Sequence, residues 1–249
     1  MKLSSPDSPK PREHKAILIV GSPGSGKTTF AMQFPSPYIA DCDSNLDGPE
    51  RFNRTVHKLS TLSYAYDTIR YDDNGKPVEI HACFDRLMDK LLLAKDEPSI
   101  QTVIIDSLTL INEYVIQKIL KAQGKSEMEA RHWQPFKSEL YKLLVGRLRD
   151  MGKTVIVTAH ETDIERADPK NVMQKILVAR RPYVQGGINE QLGGLFTDIW
   201  RMEARPAPGG KTEVYLLSSR TQYDELKNTI GMSSEILNPT YEKVKQYLQ

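Results

Sequence analysis

Ile17-Leu-Ile-Val20-Gly21-Ser22-Pro23-Gly24-Ser25-Gly26-Lys27-Thr28-Thr29 is the stretch that decides the fold. Four apolar residues without a polar break read as a strand buried on both faces, as in a parallel sheet. The strand runs straight into G-x-x-x-x-G-K-[ST]. Glycines at these positions let the backbone turn its N–H groups around an anion. Lys27 is placed to reach the outer phosphates, and the Thr28 hydroxyl to ligate Mg²⁺. A helix starting at Lys27 adds its positive end. Every residue from Gly21 to Thr29 is therefore a candidate contact for a nucleoside triphosphate.

Working outward, strand and helix signals alternate, the pattern of an α/β sheet. Ala16–Val20 reads as the first strand. The helix from Lys27 runs to Gln33 and stops near Pro35. Tyr38–Ala40 is a second strand, closing on Asp41-Cys42-Asp43. Residues 49–80 read as irregular, with a turn at Asp72-Asp-Asn-Gly75. Phe84, Leu87, Met88, Leu91 and Leu92 have helical spacing, Val103–Asp106 reads as a short buried strand, and Leu108, Ile111, Val115 and Ile119 mark another helix. Phe136, Leu140, Leu143, Leu144 and Leu148 mark a further one, ended by Gly152. Val155–Thr158 is a strand ending at Ala159-His160. Residues 161–193 read as a loop, Asp198–Met202 and Glu213–Leu217 as late strands around a Pro206–Gly210 turn, and Thr240–Leu248 as a short helix. Trp200 and Trp133 are read as packing residues.

The bulk numbers narrow the class. The chain has 249 residues, enough for a substantial core, and a net charge of +2, so any nucleic-acid surface must be local. Cys42 and Cys83 are the only cysteines. They form no disulfide framework, which suits a reducing cytoplasm, and with His81 they lack the spacing of a zinc module. No run of about 18 apolar residues suggests a membrane span. Residues 1–14, rich in Pro and Ser, read as a flexible arm lacking the apolar core of a signal peptide, and 15–249 as one domain.

Ser99-Ile-Gln-Thr-Val-Ile-Ile-Asp106 is a second nucleotide motif. An apolar strand carries one carboxylate to the sheet's C-terminal edge, where ligands sit in such folds. There Asp106 can hold Mg²⁺ together with Thr28. The next residue is Ser107, so a carboxylate that activates water must come from elsewhere. Asp41 and Asp43, after the second strand, offer it, and Asp43 is placed to orient a water towards the γ-phosphate. If the strand 155–158 lies between those of the phosphate loop and Asp106, His160 sits near the γ-phosphate and can report its state to the segment behind it. No Asn-Lys-x-Asp guanine-reading motif is present, which favours ATP.

Together these residues resemble the RecA-type recombinase core. Ile-Ala-Asp41-Cys-Asp43-Ser-Asn-Leu-Asp47 is similar to that family's second-strand segment, with its water-activating acid at the position of Asp43. Ile-Ile-Asp106-Ser107-Leu is similar to its Walker B segment. Val-Ile-Val-Thr-Ala-His160 resembles the strand bearing the γ-phosphate sensor, with His in place of the usual Gln. The resemblance spans roughly residues 15–220 and is greatest to the short, core-only RecA-like ATPases of bacteriophages that act in single-strand annealing. It implies a mostly parallel sheet with helices on both faces, Mg²⁺-dependent ATP hydrolysis, ATP-dependent binding of single-stranded DNA, assembly into a ring or filament, cooperation with a single-strand-binding protein, and a bacterial cytoplasm as the setting. It also places the DNA-binding loop at 161–193. It suggests that Arg220 and Lys227 reach the neighbouring subunit's ATP.

The residues lend that loop some support. Between Lys170 and Tyr183 lie Lys170, Lys175, Arg180 and Arg181 with one aromatic and no acid, a composition suited to a phosphate backbone and stacked bases. Gly186-Gly187 would let it reshape. Glu161, Asp163, Glu165 and Asp168 precede it and weaken its field. The cations of 118–142 read mostly as the wet sides of helices, with Gln123-Gly-Lys125 as a candidate first DNA loop. Two other functions share the phosphate loop: a small-molecule or nucleoside kinase, with Arg180-Arg181 as a lid, and an ATP-gated DNA loader with little turnover.

Overall fold

The structure is a computed structural model and describes residues 15–169 and 171–248. The arm 1–14 and the candidate DNA contact Lys170 lie outside the described residues.

The strands are β1 (Ala16–Val20), β2 (Pro37–Asp41), β3 (Ala65–Thr68), β4 (Thr102–Asp106), β5 (Thr154–Ala159), β6 (Glu161–Asp168), β7 (Asn171–Pro182), β8 (Asp198–Ala207), β9 (Lys211–Leu217) and β10 (Glu235–Leu237). The α-helices are α1 (Lys27–Ala31), α2 (Asp47–Thr55), α3 (Cys83–Asp96), α4 (Leu108–Gln123), α5 (Trp133–Tyr141), α6 (Asn189–Leu195) and α7 (Tyr241–Val244). One eight-stranded sheet has the order β10-β9-β8-β1-β5-β4-β2-β3, and β6 and β7 form a separate two-stranded hairpin. From β8 to β3 every pairing is parallel. β9 and β10 extend the sheet antiparallel.

Successive side chains of a strand point to opposite faces, and β1 feeds two cores in this way. Ala16, Leu18 and Val20 pack with α3, α4 and α5 through Phe84, Leu87, Ile111, Tyr114 and Phe136. Ile17 and Ile19 pack on the other face with Phe30, Met32, Trp200 and Val244. Helices thus cover both faces, as expected, and β5 lies between β1 and β4. Trp200 is fully buried, 6.4 Å from the Phe30 ring, and Trp133 packs edge-on against Phe136.

Three expectations are corrected. Residues 49–80 are not irregular throughout: α2 and β3 occupy part of them, ahead of the expected turn, where Gly75 N–H donates to the Asp72 carbonyl. α2 escapes a search for apolar spacing because its only buried residue is polar. Asn53 donates to the Thr29 carbonyl (2.8 Å) and accepts from Gln33 Nε2 (3.0 Å), fastening α2 to α1.

Residues 161–193 are not a loop. β6 and β7 pair from Glu161↔Pro182 to Asp168↔Asn171, and α6 follows. β6 hides its strand character because a hairpin standing clear of the core has no need of apolar alternation; Asp163 and Glu165 occupy positions that a covered strand would fill with apolar residues.

Gly186 is not a point of freedom. Its φ is 73°, and a Cβ there would stand 2.8 Å from Phe136 Cδ1 and 3.0 Å from Trp133 Cε3. It is glycine because aromatic rings press on its backbone.

Candidate nucleotide-binding site

The loop after β1 passes so close to β8 that a Cβ on Gly21 would lie 2.3 Å from the Met202 carbonyl oxygen. Gly26, at φ 89°, caps α1. Lys27, only 6% exposed, folds back over the loop, and its Nζ donates to the carbonyls of Gly21 (2.8 Å) and Ser22 (2.9 Å). Burial pulls its pKa below the ordinary lysine value, against the raising fields of Asp106, Glu161 and Asp43. Ser25 Oγ is buried without a hydrogen-bond partner.

Asp106 ends β4 as the sequence implied. Its Oδ2 accepts from Thr28 Oγ1 at 2.7 Å, and its Oδ1 from Thr158 Oγ1. Asp43 accepts at Oδ1 from Ser107 Oγ (3.0 Å), and its Oδ2 lies 3.9 Å from His160 Nε2. Burial, then the charge of Asp106, pushes the Asp43 pKa up to about 6. Asp41 is raised to about 6 by the same causes. It faces its own turn, where Oδ1 accepts from the Ser44 amide (2.8 Å), and it does not line the cleft. The histidine's pKa is lowered by burial and by Lys27. Thr109, which the sequence did not single out, accepts the His160 amide N–H at Oγ1 (2.9 Å).

Lys27, Thr28, Asp43, Asp106 and His160 line one cleft of about 1010 Å³, ample for a nucleotide. One wall is α2, through Pro49 and Phe52, with Val56 just beyond its end; the other includes Val214, Asn238 and Pro239. The Phe52 side chain stays 46% exposed. This apolar flank suits a base. It escaped the sequence reading because it lies on the helix that reading missed.

The candidate nucleic-acid and interface residues are more dispersed. Arg180 Nε lies 3.1 Å from Asp163 Oδ1, and Lys175 Nζ 3.7 Å from Glu165 Oε2, so acids expected to weaken the field sit across the ladder from the cations. Arg181 lines a small cavity of about 80 Å³ beneath the hairpin. Arg220 is exposed, 3.8 Å from Glu225. The Lys227 ammonium donates to the carbonyls of Gly193 (2.9 Å) and Phe196 (2.8 Å) of its own chain. Lys118 pairs with Asp85 and Glu139, and Lys125 with Glu129. Gly124 simply ends α4 in the left-handed conformation.

A family model described as an AAA domain matches residues 13–228. The chain belongs to that family. Its AAA domain has a P-loop NTPase-like α/β fold: a mostly parallel sheet, helices on both faces, and one strand between those of the phosphate loop and Asp106. Membership of a P-loop family of this kind implies nucleotide binding. No curated protein matches the chain. Among solved structures, the AAA domain is similar to a prototypical ATPase from the type III secretion system of pathogenic bacteria, at 14% identity and a TM-score of 0.42; the match covers 76% of this chain and 52% of that one. The chain thus spans about half the length of that ATPase. No helix among the described residues is long and apolar enough to cross a membrane.

The chain's residues also fit the metal that such domains use. Thr28 and Asp106 offer two hard oxygens 2.7 Å apart in the lining of the cleft, the ligand chemistry Mg²⁺ prefers.

Proposed function

We propose that this protein is a Mg²⁺-dependent ATPase that binds single-stranded DNA and works as a homo-oligomer, ring or filament, in recombination or strand annealing. Bound Mg²⁺ would supply charge neutralisation on the β- and γ-phosphate oxygens. Thr28 and Asp106 would hold it. Lys27 would leave the loop carbonyls for the phosphates. Asp43 would take a proton from water, and Ser107 would keep its carboxylate aimed. His160 would sense the γ-phosphate.

One observation supports the DNA half of this reading above others: the hairpin begins at Glu161, immediately after His160. A change at the cleft therefore has no slack to cross before it reaches the hairpin. The hairpin carries Lys175 outward together with exposed Ile164, Met173 and Val178, and exposed Tyr183 follows directly after it, a mixture suited to phosphates and unstacked bases. A single-strand-binding protein of a bacterial host, in whose cytoplasm a phage-encoded enzyme would act, completes the proposal. Arg220 is the better placed of the two candidate trans cations, since Lys227 is occupied within its own chain.

ATP hydrolysis measured with and without single-stranded DNA over a range of protein concentration tests the reading. DNA stimulation rising steeply with concentration is expected. Phosphate appearing on a nucleoside would replace it with a kinase, and DNA binding without turnover with a loader.

A further inference from the structure

Beneath the hairpin lies a charged cluster that the catalytic reading leaves unused. Glu161, the first hairpin residue, accepts Ser22 Oγ of the phosphate loop at Oε1 (2.8 Å). The same carboxylate receives Arg201 at two points, Nε to Oε2 (2.6 Å) and Nη2 to Oε1 (3.1 Å). Arg201 is 5% exposed and stands on β8 beside Val20, the residue before the loop. It also meets Glu203 (2.8 Å) and Asp224 (3.6 Å). The backbone of Asp224 lies beside that of Arg180 on the other hairpin strand in an isolated parallel β-bridge, and the Arg180 amide donates to the Tyr223 carbonyl (2.8 Å).

Two neighbouring residues thus approach the loop differently. His160 lines the cleft. Glu161 grips Ser22 and is anchored in the body of the domain by a two-point guanidinium pair, a geometrically demanding contact. The Ser22 carbonyl is also one of the two that hold Lys27. A polyphosphate that engages Lys27 therefore acts on the very residue whose side chain holds the hairpin.

We propose that Glu161 is a positioning residue that couples the phosphate loop to the hairpin through Ser22, with Arg201 as its fixed anchor. The proposal rests on the nucleotide-binding reading above and adds to it a named path. Linkage makes the coupling reciprocal: whatever the hairpin binds alters nucleotide affinity by the same factor.

Amide hydrogen exchange of residues 161–182 in the full chain tests it, with and without a saturating non-hydrolysable ATP analogue and Mg²⁺, and with analogue binding measured separately. In the wild type the analogue should slow hairpin exchange by about fivefold or more, the low end of ordinary couplings. In Glu161→Ala that nucleotide-dependent difference should vanish. A purely structural role would instead shift exchange equally in both states. Should Glu161→Ala fail to fold for want of the Arg201 partner, Ser22→Ala removes one exposed hydroxyl, leaves the ion pair intact, and should abolish the difference equally. Bound analogue with no hairpin response in the wild type, or an undiminished response in the variants, overturns the coupling alone. A wild type that takes up no analogue overturns the nucleotide site and the coupling together.

Discussion

Thr28 and Asp106 lie 78 positions apart in the chain, yet the threonine hydroxyl donates to the carboxylate at 2.7 Å. The contact is made because β5 spaces β1 from β4, which leaves a gap at the sheet's C-terminal edge that the phosphate loop fills. Two sequence motifs, each ambiguous alone, thereby become one site.

Removing either oxygen should show in the metal dependence first. Asp106→Ala removes the proposed metal ligand and leaves the buried Thr158 hydroxyl only its longer bond to the Ile105 carbonyl (3.5 Å). Metal stabilisation of phosphoryl transfer is worth several kcal/mol, so hydrolysis should fall by about a hundredfold or more. Thr28→Ala should raise the Mg²⁺ concentration needed for half-maximal phosphate release, and Thr28→Ser should restore it. An unchanged Mg²⁺ titration in Thr28→Ala would remove that residue from the metal site.

The pH dependence follows from Asp43. Its folded pKa, about 6, is raised above the ordinary carboxylate value by burial and by Asp106. In the role proposed for it, Asp43 is protonated below pH 6 and accepts no proton from water, and above pH 6 it is free to do so. Hydrolysis should therefore rise through a pKa near 6, while Asp43→Asn should be slow at every pH and lack that limb. The sign for stability is opposite. Between the unfolded value of 3.8 and about 6 the folded state holds more protons than the unfolded one, so the contribution of Asp43 declines as pH rises through that window. Urea melts at pH 4 and 7, compared with those of Asp43→Asn, check it.

His160→Ala separates sensing from binding. The side chain lies 3.9 Å from Asp43 and directly precedes the hairpin, but among the described residues it makes no hydrogen bond to Gly21–Thr29, the proposed phosphate contacts. ATP affinity should change by less than about threefold, within the scatter of a surface substitution, while DNA-stimulated turnover is lost. Full stimulation in the mutant would show that the sensor is elsewhere.

What the sequence made legible divides along physical lines. Strands buried on both faces, such as Ile17–Val20 and Val103–Asp106, announce themselves because both sides demand apolar residues. The phosphate loop announces itself because its geometry admits few residue types. α2 did not, since its anchor is the polar Asn53 and its apolar Phe52 faces the cleft. Neither did the hairpin, whose ladder pairs charges. The Glu161–Arg201 pair joins residues 40 apart on strands of two different sheets, and nothing local in either strand signals it.

The hairpin cations should differ in their share of DNA affinity. Lys175 is largely exposed and 3.7 Å from its acid, whereas Arg180 is more enclosed and 3.1 Å from Asp163. A cation already neutralised within the protein releases fewer counterions on binding a phosphate. Lys175→Ala should lower the slope of log affinity against log salt by about one, and Arg180→Ala by less. Equal slopes for both variants and the wild type would place the DNA elsewhere.

Gly186 offers a test of the packing beneath that hairpin. An alanine there meets Phe136 Cδ1 at 2.8 Å, Phe136 Cε1 at 2.9 Å and Trp133 Cε3 at 3.0 Å, at a φ of 73°. Overpacking costs about 1–3 kcal/mol, and left-handed backbone adds about 1–2 kcal/mol for a residue with a Cβ. Gly186→Ala should therefore lower the urea midpoint by an amount worth about 2–5 kcal/mol without changing the m-value. The two contributions can be parted. Phe136→Leu removes the ring face that the new methyl strikes but leaves φ untouched, so the double variant should lose less than the sum of the singles. The interaction energy of that cycle measures the steric share. Strict additivity would mean that backbone conformation alone demands the glycine.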